Sequence, residues 1–307
     1  MLDTDPKYKS SESSSLPSWF RQRLPEISKI KTMKNMVQSH GLSTVCEHAQ
    51  CPNMGQCWGK GVATFMILGN TCTRACRFCA VQTGGAMHVD PSEPMNVAKM
   101  VKQLGLKYVV VTSVTRDDLV DEGVAQFVKT IRAIREQDSN IKIELLIPDF
   151  SGRLELIREI LEAKPDVLGH NIEMVERLFP EMRFRTDYQR SLTVLRQIKQ
   201  SSSKMLVKSG FMVGLGETDE EVFRLMKDLV ETGCDMLTIG QYLAPSKDKR
   251  HVPVDRFVSP ETFDHYKERA LALGFRHVFS APLVRSSYIA EEGYRECCND
   301  IENMLGA

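Results

Sequence analysis

Three cysteines stand close together directly after a short apolar run. Cys72, Cys76 and Cys79 have the spacing C-x3-C-x2-C in the segment G-N-T-C-T-R-A-C-R-F-C-A. Cysteine thiolates hold four-iron clusters, and three of them leave one iron without a protein ligand. Such an open iron can take a substrate or a cofactor. The alternative is zinc, which has four ligands in structural sites and would need His88 as the fourth.

A second group of three cysteines precedes the first. Cys46, Cys51 and Cys57 have the spacing C-x4-C-x5-C in V-C-E-H-A-Q-C-P-N-M-G-Q-C-W, and the Pro, Asn and Gly residues there predict an irregular stretch. Next to the first group, these cysteines indicate a second iron–sulfur cluster, for which His48 is a candidate fourth ligand. Zinc or plain buried thiols are the alternatives.

The remaining cysteines carry no ligand pattern. The chain has nine cysteines in 307 residues, and an odd number excludes a complete set of intramolecular disulfides. Cys234, Cys297 and Cys298 have no ligand spacing, so we predict core residues with free thiols. The polar N-terminus has no apolar signal segment, so we expect a cytoplasmic protein whose thiols stay reduced.

The charges balance, because 40 Lys and Arg are matched by 40 Asp and Glu. A nucleic-acid binder usually has a basic excess, so this balance argues against nucleic acid as a partner. No apolar run approaches the roughly 20 residues of a membrane span, so we expect no membrane partner either.

From residue 63 onward, short β-branched runs alternate with amphipathic helical stretches. Strands are predicted over 63–68, 107–112, 141–147, 166–171, 205–213, 235–242 and, as a seventh, 276–280. Helices are predicted over 17–39, 95–104, 120–137, 154–162, 188–200, 219–232 and 260–273. This series of βα units predicts an α/β fold, a partial (β/α)6 barrel of the TIM type with helices outside.

The same patterns divide the chain into four parts. Residues 1–16 are rich in Ser and Lys and predict disorder, and 17–62 form an N-terminal extension with the second cysteine group. Residues 63–280 form the partial barrel, and 281–307 form a C-terminal tail. The first cysteine group follows the first barrel strand, at the end of the barrel where such folds carry their active sites.

The segment C-x3-C-x-F-C after this strand resembles the signature of the radical S-adenosylmethionine (SAM) enzymes. The resemblance implies that Cys72, Cys76 and Cys79 hold a 4Fe–4S cluster whose open iron binds the amino and carboxylate groups of SAM. One electron then cleaves SAM to a 5′-deoxyadenosyl radical, which abstracts a hydrogen atom from the substrate. Phe78 matches the aromatic residue of the family and would lie near the adenine.

Both cysteine groups together are similar to the lipoyl synthases, one branch of that superfamily. Further motifs agree over about residues 19–288: V-V-V-T-S-V-T-R-D-D-L, G-H-N-I-E, M-V-G-L-G-E-T, L-T-I-G-Q-Y-L-A-P-S and P-L-V-R-S-S-Y. By this resemblance Cys46, Cys51, Cys57 and the oxygen of Ser287 hold an auxiliary 4Fe–4S cluster that donates sulfur. From the residues alone, Arg285–Tyr288 predict only a surface turn.

Six residues after the strands are candidates to bind SAM: Ser113, Arg116, Asn171, Glu173, Gly214 and Gly216. The first two stand where the superfamily often has a Gly-Gly-Glu stretch that this chain lacks. Asn171 and Glu173 stand where ribose hydroxyls and an ammonium would be bound, and a helix-capping Asn with a solvated Glu is the alternative. The glycine turn would bring backbone amides to the cofactor carboxylate, or merely connect a strand to a helix.

The resemblance also implies the reaction and its partners. Two sulfur atoms would be inserted at C6 and C8 of an octanoyl chain on a lysine of a lipoyl carrier domain, in E2 subunits of 2-oxoacid dehydrogenases or the glycine cleavage H protein. Reduced flavodoxin or ferredoxin would supply electrons, and an iron–sulfur carrier would supply clusters. An acidic carrier would dock on the basic stretch Arg21, Arg23, Lys29, Lys31 and Lys34. The rival functions are a methylthiotransferase acting on RNA or protein, and a non-catalytic zinc or iron–sulfur module.

Overall fold

The computed structural model describes residues 16–22, 25–85 and 88–305. Of the segment predicted to be disordered, 1–16, only Leu16 is among them, and Arg23 of the basic stretch also lies outside. Within the described part of the chain, no helix is both long and apolar enough to cross a membrane.

The strands are β1 (Ser43–Thr44), β2 (Thr64–Ile67), β3 (Thr71–Cys72), β4 (Gln82–Thr83), β5 (Tyr108–Ser113), β6 (Lys142–Leu146), β7 (Val167–Gly169), β8 (Leu206–Val213), β9 (Met236–Gln241) and β10 (His277–Ser280). Eight of them form one sheet in the order β1-β2-β5-β6-β7-β8-β9-β10, and β3 pairs with β4 separately. β1 is antiparallel to β2, and the other neighbours in the large sheet are parallel. Among the described residues β10 pairs only with β9, so the sheet is open.

The helices are α1 (Ile27–Ser39), α2 (Val45–His48), α3 (Met54–Gly59), α4 (Glu93–Gln103), α5 (Val124–Gln137), α6 (Leu154–Glu162), α7 (Phe179–Met182), α8 (Tyr188–Ser201), α9 (Asp219–Glu231), α10 (Pro260–Leu273) and α11 (Ala290–Leu305). Helices α4, α5, α6, α8, α9 and α10 each connect two successive parallel strands. Six βα units and a seventh strand therefore form the partial barrel, and the predicted fold class is confirmed.

Side-chain caps begin two of these helices. Thr218 accepts a hydrogen bond from the amide of Glu221, whose side chain bonds back to Thr218, so α9 begins with a capping box. Ser259 caps α10 in front of Pro260, which needs no amide partner at the first helical position.

Helix α5 begins four residues later than the predicted 120–137. Asp121 accepts hydrogen bonds from the amides of Gly123 and Ala125, and Gly123 has a φ of 91°. This left-handed residue ends the loop and lets the helix start at Val124. The first four predicted residues therefore belong to a turn.

The N-terminal extension is more regular than its composition predicts. The stretch expected to be irregular contains α2, which Thr44 caps by accepting from the amide of Glu47, and α3, which follows Asn53. Both helices are short, so Pro52 lies between them and interrupts neither. The helix predicted over 17–39 is also wrong in its first part, where Ser18–Phe20 form a 3-10 turn and α1 begins only at Ile27.

The two faces of the sheet are covered differently. On one face, Val109 and Val111 of β5 share a core with Phe127 of α5, and such two-sided burial explains why the strands are continuous apolar runs. On the other face, Tyr108 and Val110 contact the start of α11 through Ala290 and Tyr294. Further along, Cys297 of α11 is buried against Val167, Leu206 and Met236.

The C-terminal helix α11 was not predicted, although its apolar residues have helical spacing. It covers the inner face of the sheet at the amino ends of the strands, because its contacts are with the first residues of β5, β7, β8 and β9. The opposite, carboxyl ends of the strands are therefore where a site can open.

Candidate active site

The first cysteine group begins at a turn directly after β2. Leu68 and Gly69 both have left-handed backbone conformations, with φ values of 68° and 85°. Glu93 of α4 fixes this turn, because its carboxylate accepts from the amide of Leu68 at 2.9 Å and of Gly69 at 3.3 Å. Gln126 of α5 donates to the same carboxylate at 2.8 Å. Two barrel helices thus set the direction in which the cysteine loop leaves the sheet.

Arg74, between the first two cysteines, anchors the loop to the neighbouring strand ends. Its guanidinium is 5% exposed and lies 2.7 Å from Asp117 after β5 and 2.7 Å from Asp149 after β6. This contact lowers the pKa of Asp149 against the effect of its burial, so the carboxylate stays charged. Thr73 adds a hydrogen bond of 2.9 Å to Asp117.

Two other loops hold the far side of the same segment. The amide of Arg77 donates to the carbonyl of Met182 at 2.9 Å, and its carbonyl accepts from the amide of Val252 at 3.1 Å. His251 contacts the carbonyl of Cys79 through Nε2 at 3.1 Å, while its Nδ1 lies 2.7 Å from the hydroxyl of Ser246. The cysteine loop is therefore fixed across the carboxyl ends of several strands.

The thiols of this loop are half-buried and are coupled electrostatically. Burial raises the pKa of Cys76 and raises that of Cys79 to about 12, and the neighbouring cysteines raise both further. The positive charge of Arg183 opposes this effect at Cys76. Thiols of this kind are protonated at neutral pH until a metal replaces their protons.

Asn171 and Glu173, predicted from the G-H-N-I-E motif, lie beside these thiols. The negative charge of Glu173 raises the pKa of both Cys76 and Cys79, and Arg183 and Asn171 in turn stabilise the Glu173 carboxylate. Burial nevertheless raises the pKa of Glu173. The structure thus brings the end of β7 and the first cysteine group together.

The backbone at Glu173 is strained. Its φ is 73°, a left-handed conformation that non-glycine residues rarely adopt. Two bonds to β8 hold it there, from its amide to Gly210 at 3.0 Å and from the amide of Met212 to its carbonyl at 2.8 Å. Strain maintained in this way is typical of residues that bind ligands.

Ser113 is the last residue of β5 and Arg116 follows the strand, and each has a buried polar atom without a hydrogen-bond partner among the described residues. These atoms are the Ser113 hydroxyl oxygen and Nη1 of Arg116. The other nitrogens of Arg116 are bound to Asp118, both at 2.8 Å. An unsatisfied buried donor is costly, and a polar ligand would remove that cost.

The glycine turn after β8 differs from expectation. The carboxylate of Glu217 accepts from the amides of Gly214 at 2.7 Å and Leu215 at 2.8 Å, so these two amides already have a partner. A Cβ at Gly214 would overlap the side chain of Gln241 and come within 2.5 Å of the carbonyl of Arg256. The absence of a side chain at Gly214 therefore allows Gln241 and Arg256 to pack closely against the turn. Gly214 and Gly216 both have positive φ values, of 95° and 97°.

The second cysteine group is formed by the two short helices of the extension. Cys46 lies in α2, Cys57 lies in α3, and Cys51 lies between them. Burial raises the pKa of all three thiols, that of Cys57 to about 11, and each of Cys46 and Cys57 is raised further by another member of the group. The three thiols are thus coupled electrostatically.

The R-S-S-Y segment lies beside this second group. The positive charge of Arg285 lowers the pKa of Cys51, although the two residues are far apart in the chain. The segment is the predicted turn, closed by a bond of 2.9 Å from the amide of Tyr288 to the carbonyl of Arg285. It is half-buried, and Ser287 is one of its central residues. The turn therefore brings a positive charge to the half-buried thiol of Cys51.

The donor sets of both groups consist of cysteine thiols, the side chains that hold iron–sulfur clusters. The three thiols of each group, together with the unsatisfied groups near the first, fit an iron–sulfur cluster and a polar cofactor.

His170 connects the end of β7 to the helix behind it. Its Nδ1 lies 2.9 Å from the carbonyl of Ile147, and its Nε2 lies 3.1 Å from the hydroxyl of Ser191. Arg183 donates to the same hydroxyl at 3.2 Å. The hydroxyl therefore accepts from Arg183 and donates to a neutral imidazole.

We expect His170 to make the stability of the protein depend on pH. Burial and the charge of Arg183 lower its pKa from 6.5 to about 4. Between pH 6.5 and about 4 the folded state binds fewer protons than the unfolded state. The stabilisation from neutral His170 is therefore fully present above pH 6.5 and is lost as the pH falls toward 4. The shift corresponds to about 3 kcal/mol in the free energy of unfolding. Thermal midpoints of the wild type should fall more steeply between these pH values than those of His170→Gln, and parallel curves would contradict this expectation.

Comparison with known proteins decides the family. The profile of the radical SAM superfamily matches residues 66–229. Lipoyl synthase from Caldicellulosiruptor saccharolyticus is 50% identical over 276 residues, which cover 90% of this chain and 96% of that protein. Lipoyl synthase from Proteus mirabilis is 50% identical over 277 residues, which cover 90% and 86%. This chain belongs to the lipoyl synthase family.

Membership in the lipoyl synthase family makes the chain a radical SAM enzyme, with a 4Fe–4S cluster and SAM as its cofactors. The resemblance expected from the sequence is confirmed. HydG, a maturase of the FeFe-hydrogenase, has a TM-score of 0.53 at 12% identity, over 76% of this chain and 61% of HydG. SuiB from Streptococcus suis, solved with S-adenosylmethionine, has a TM-score of 0.52 at 12% identity, over 74% and 54%. At such identities these two structures support the fold alone.

Several residues of the site were missed in the sequence, because their contacts are long-range. Arg74 stands inside the first cysteine group, but its role in anchoring the loop is visible only from its ion pairs with Asp117 and Asp149. Arg183 follows a short helix without any motif that we singled out. Asn53 stands within the second cysteine motif and contacts the C-terminal tail.

Proposed function

We propose that the chain inserts sulfur at C6 and C8 of an octanoyl chain that is amide-linked to a lysine of a lipoyl carrier domain. Family membership supports sulfur insertion on a lipoyl carrier protein. The observation that carries the finer proposal is the hydrogen bond of 2.6 Å from Asn53, two residues after Cys51, to the carbonyl of Leu283, four residues before Ser287. This contact brings the tail that carries a candidate oxygen ligand to the second cysteine group.

In this proposal Cys72, Cys76 and Cys79 hold the 4Fe–4S cluster that binds SAM. When bound, cluster and SAM together supply the radical that removes hydrogen from an unactivated carbon. The protein residues fix the geometry, because Arg74 and its two aspartates hold the loop at the strand ends. Because a radical removes the hydrogen atom, breaking this C–H bond needs neither a perturbed carboxylate nor a general base.

The polar groups around the first cysteine group would bind SAM. The Glu173 carboxylate would accept from its ammonium and Asn171 would bond to its ribose, since both lie beside the thiols. Ser113 and Arg116 would use their unsatisfied atoms on the methionine part.

Three further residues would bind SAM without a polar side chain. Phe78, half-buried in the cysteine loop, would pack on the adenine. Gly214 and Gly216 would shape the turn that faces the cofactor, while the amides of Gly214 and Leu215 are already bound by Glu217.

The second group, Cys46, Cys51 and Cys57 with Ser287, would hold an auxiliary 4Fe–4S cluster that donates the sulfur atoms. A serine oxygen is a harder ligand than a thiolate and releases iron more readily. Arg285 would compensate the negative charge of thiolate ligands at this buried place, as its effect on Cys51 indicates. The protein would thus hold three ligands firmly and one loosely.

We also propose a role for each part of the chain. Residues 17–62 and 281–307 would build the auxiliary site around the barrel of 63–280, and the enzyme would work in the reducing cytoplasm. The substrate would be an octanoylated E2 subunit or H protein, with flavodoxin or ferredoxin as reductant and an iron–sulfur carrier for renewal. On the proposed docking stretch, Lys29 forms an ion pair with Glu26 at 3.1 Å, and Lys34 forms one with Glu47 at 3.5 Å. Lys31 is exposed.

Metal analysis of anaerobically purified protein tests this assignment. We expect about eight irons and eight acid-labile sulfides per chain, as two four-iron clusters require. Zinc without sulfide would support the non-catalytic module and contradict the proposal. A methylthiotransferase would also contain two clusters, so it is distinguished by product: it would leave an octanoyl peptide unchanged.

A further inference from the structure

The start of the C-terminal tail runs along the end of β9. The amide of Ala281 donates to the carbonyl of Ile239 at 3.2 Å, and the amide of Gln241 donates to the carbonyl of Pro282 at 3.2 Å. These bonds continue the pairing of β10 with β9 past the end of the strand. The tail therefore reaches the R-S-S-Y turn along a defined path.

Gly240 makes room for the tail on this side. A Cβ at this position would overlap the carbonyl oxygen of Val284 and lie 3.2 Å from Nη1 of Arg285. Because the obstacle is backbone, a side chain at residue 240 has to move the tail itself. The glycine sets how deeply the turn enters beside the sheet.

Asn53 contacts the tail from the opposite side. Its Nδ2 donates to the carbonyl of Leu283 at 2.6 Å across 230 residues of sequence, and its Oδ1 accepts from Gln22 at 3.5 Å. Asn53 is 2% exposed and stands only two residues after Cys51. One side chain thus joins the second cysteine group to the residue four positions before Ser287.

The conformation of Asn53 shows that this contact replaces its usual local role. Asn53 occupies the N-cap position of α3, where an Asn side chain normally accepts from an amide of the first turn. Here it makes no capping hydrogen bond. Instead, Nδ2 donates to Leu283, and Oδ1, the atom that a cap would use, accepts from Gln22.

We infer that Asn53 is a positioning residue that registers the R-S-S-Y turn on the second cysteine group, so that Ser287 can ligate the fourth iron there. Its amide fixes Leu283 from the extension, while Gly240 admits Val284 from the sheet. The turn is held between these two contacts. The inference rests on the proposed role of Ser287 and adds the residue that makes this role possible.

The test uses the full chain with alanine at Cys72, Cys76 and Cys79, so that released iron comes from the second cysteine group alone. Anaerobically loaded protein is mixed with an iron chelator, and the rate of iron release is measured for the parent, Asn53→Asp, Ser287→Ala and the double variant. Aspartate keeps the N-cap preference of α3 and the acceptor for Gln22, but it cannot donate to Leu283. Asn140→Asp, the same change at an exposed position, is the control.

We expect iron release to be several-fold faster in Asn53→Asp and in Ser287→Ala, and the double variant to be no faster than Ser287→Ala. Such non-additivity shows that both residues act on one ligand. Gly240→Ala should give the same result from the other side of the turn, and it keeps the test open if Asn53→Asp does not load.

Two outcomes would overturn different statements. Additive rates, or a parent-like rate in both Asn53→Asp and Gly240→Ala, would overturn the positioning role alone. A parent-like rate in Ser287→Ala would instead overturn the proposed serine ligand. Thermal midpoints of unfolding are measured in parallel for the loaded and the apo form of each variant. A variant whose apo form also has a lowered midpoint loses iron because the whole protein is less stable.

Discussion

Replacing Cys72 by alanine is expected to abolish reductive cleavage of SAM, whereas replacing Cys46 by alanine leaves cleavage intact and blocks sulfur insertion. The two cysteines belong to groups built by different parts of the chain, one by the loop after β2 and one by α2 and α3. A cluster with only two cysteine ligands is not held. Cys72→Ala therefore loses SAM cleavage and, with the radical, sulfur insertion as well, whereas Cys46→Ala loses sulfur insertion alone.

The measurement is anaerobic formation of 5′-deoxyadenosine and of lipoyl product with dithionite as reductant. The control is Cys298→Ala, since this half-buried cysteine lies in α11 at the amino ends of the strands and has no ligand spacing. It should keep both activities. Lipoyl product from Cys46→Ala would show that the second group is not the sulfur donor.

The second large effect concerns Arg74. The Arg74→Met variant removes the cation that lies 2.7 Å from both Asp117 and the fully buried Asp149. Among the described residues, Asp149 then keeps only the longer ion pair of 3.5 Å with Arg190. Removing one partner of a buried ion pair costs about 3–5 kcal/mol in the free energy of unfolding, because the remaining charge is poorly compensated. The thermal midpoint should fall accordingly, and the first cluster should be lost while the second is retained.

The sign of the pH dependence identifies the cause. Arg74 lowers the pKa of Asp149 in the wild type, so this contribution is present at neutral pH and is lost as the pH falls below the ordinary range of Asp. In Arg74→Met the pKa of Asp149 should rise, so mild acidification should destabilise the variant less than the wild type. Arg74→Lys, which keeps the charge, should recover part of the midpoint. Full iron content and an unchanged midpoint in Arg74→Met would contradict this role.

The barrel strands were predictable because their signal is local. Strands buried on both faces are continuous apolar runs, and the predicted 205–213 and 235–242 differ from β8 and β9 by one residue at the ends. Both cysteine groups were visible for the same reason, since their members stand within a few residues of one another.

Other features depend on contacts that spacing does not encode. The bond from Asn53 to Leu283 crosses 230 residues, and nothing in C-P-N distinguishes it from a helix cap. In the sequence Gly240 is one glycine of a strand, and only the tail packed beside it explains why no side chain fits there. The two helices of the extension are not predicted from the sequence, because Pro and Asn usually interrupt helices. Here Pro52 and Asn53 lie just before α3 and not within it.

The most direct test is an anaerobic assay with an octanoyl-lysyl peptide and enzyme whose clusters were assembled with sulfur-34 sulfide, read by mass spectrometry. The chain should convert octanoyl-lysine to lipoyl-lysine that carries two sulfur-34 atoms, with no more than about one product per chain when nothing rebuilds the auxiliary cluster. Unchanged octanoyl peptide despite SAM cleavage, or product with sulfur of natural mass, would contradict the account.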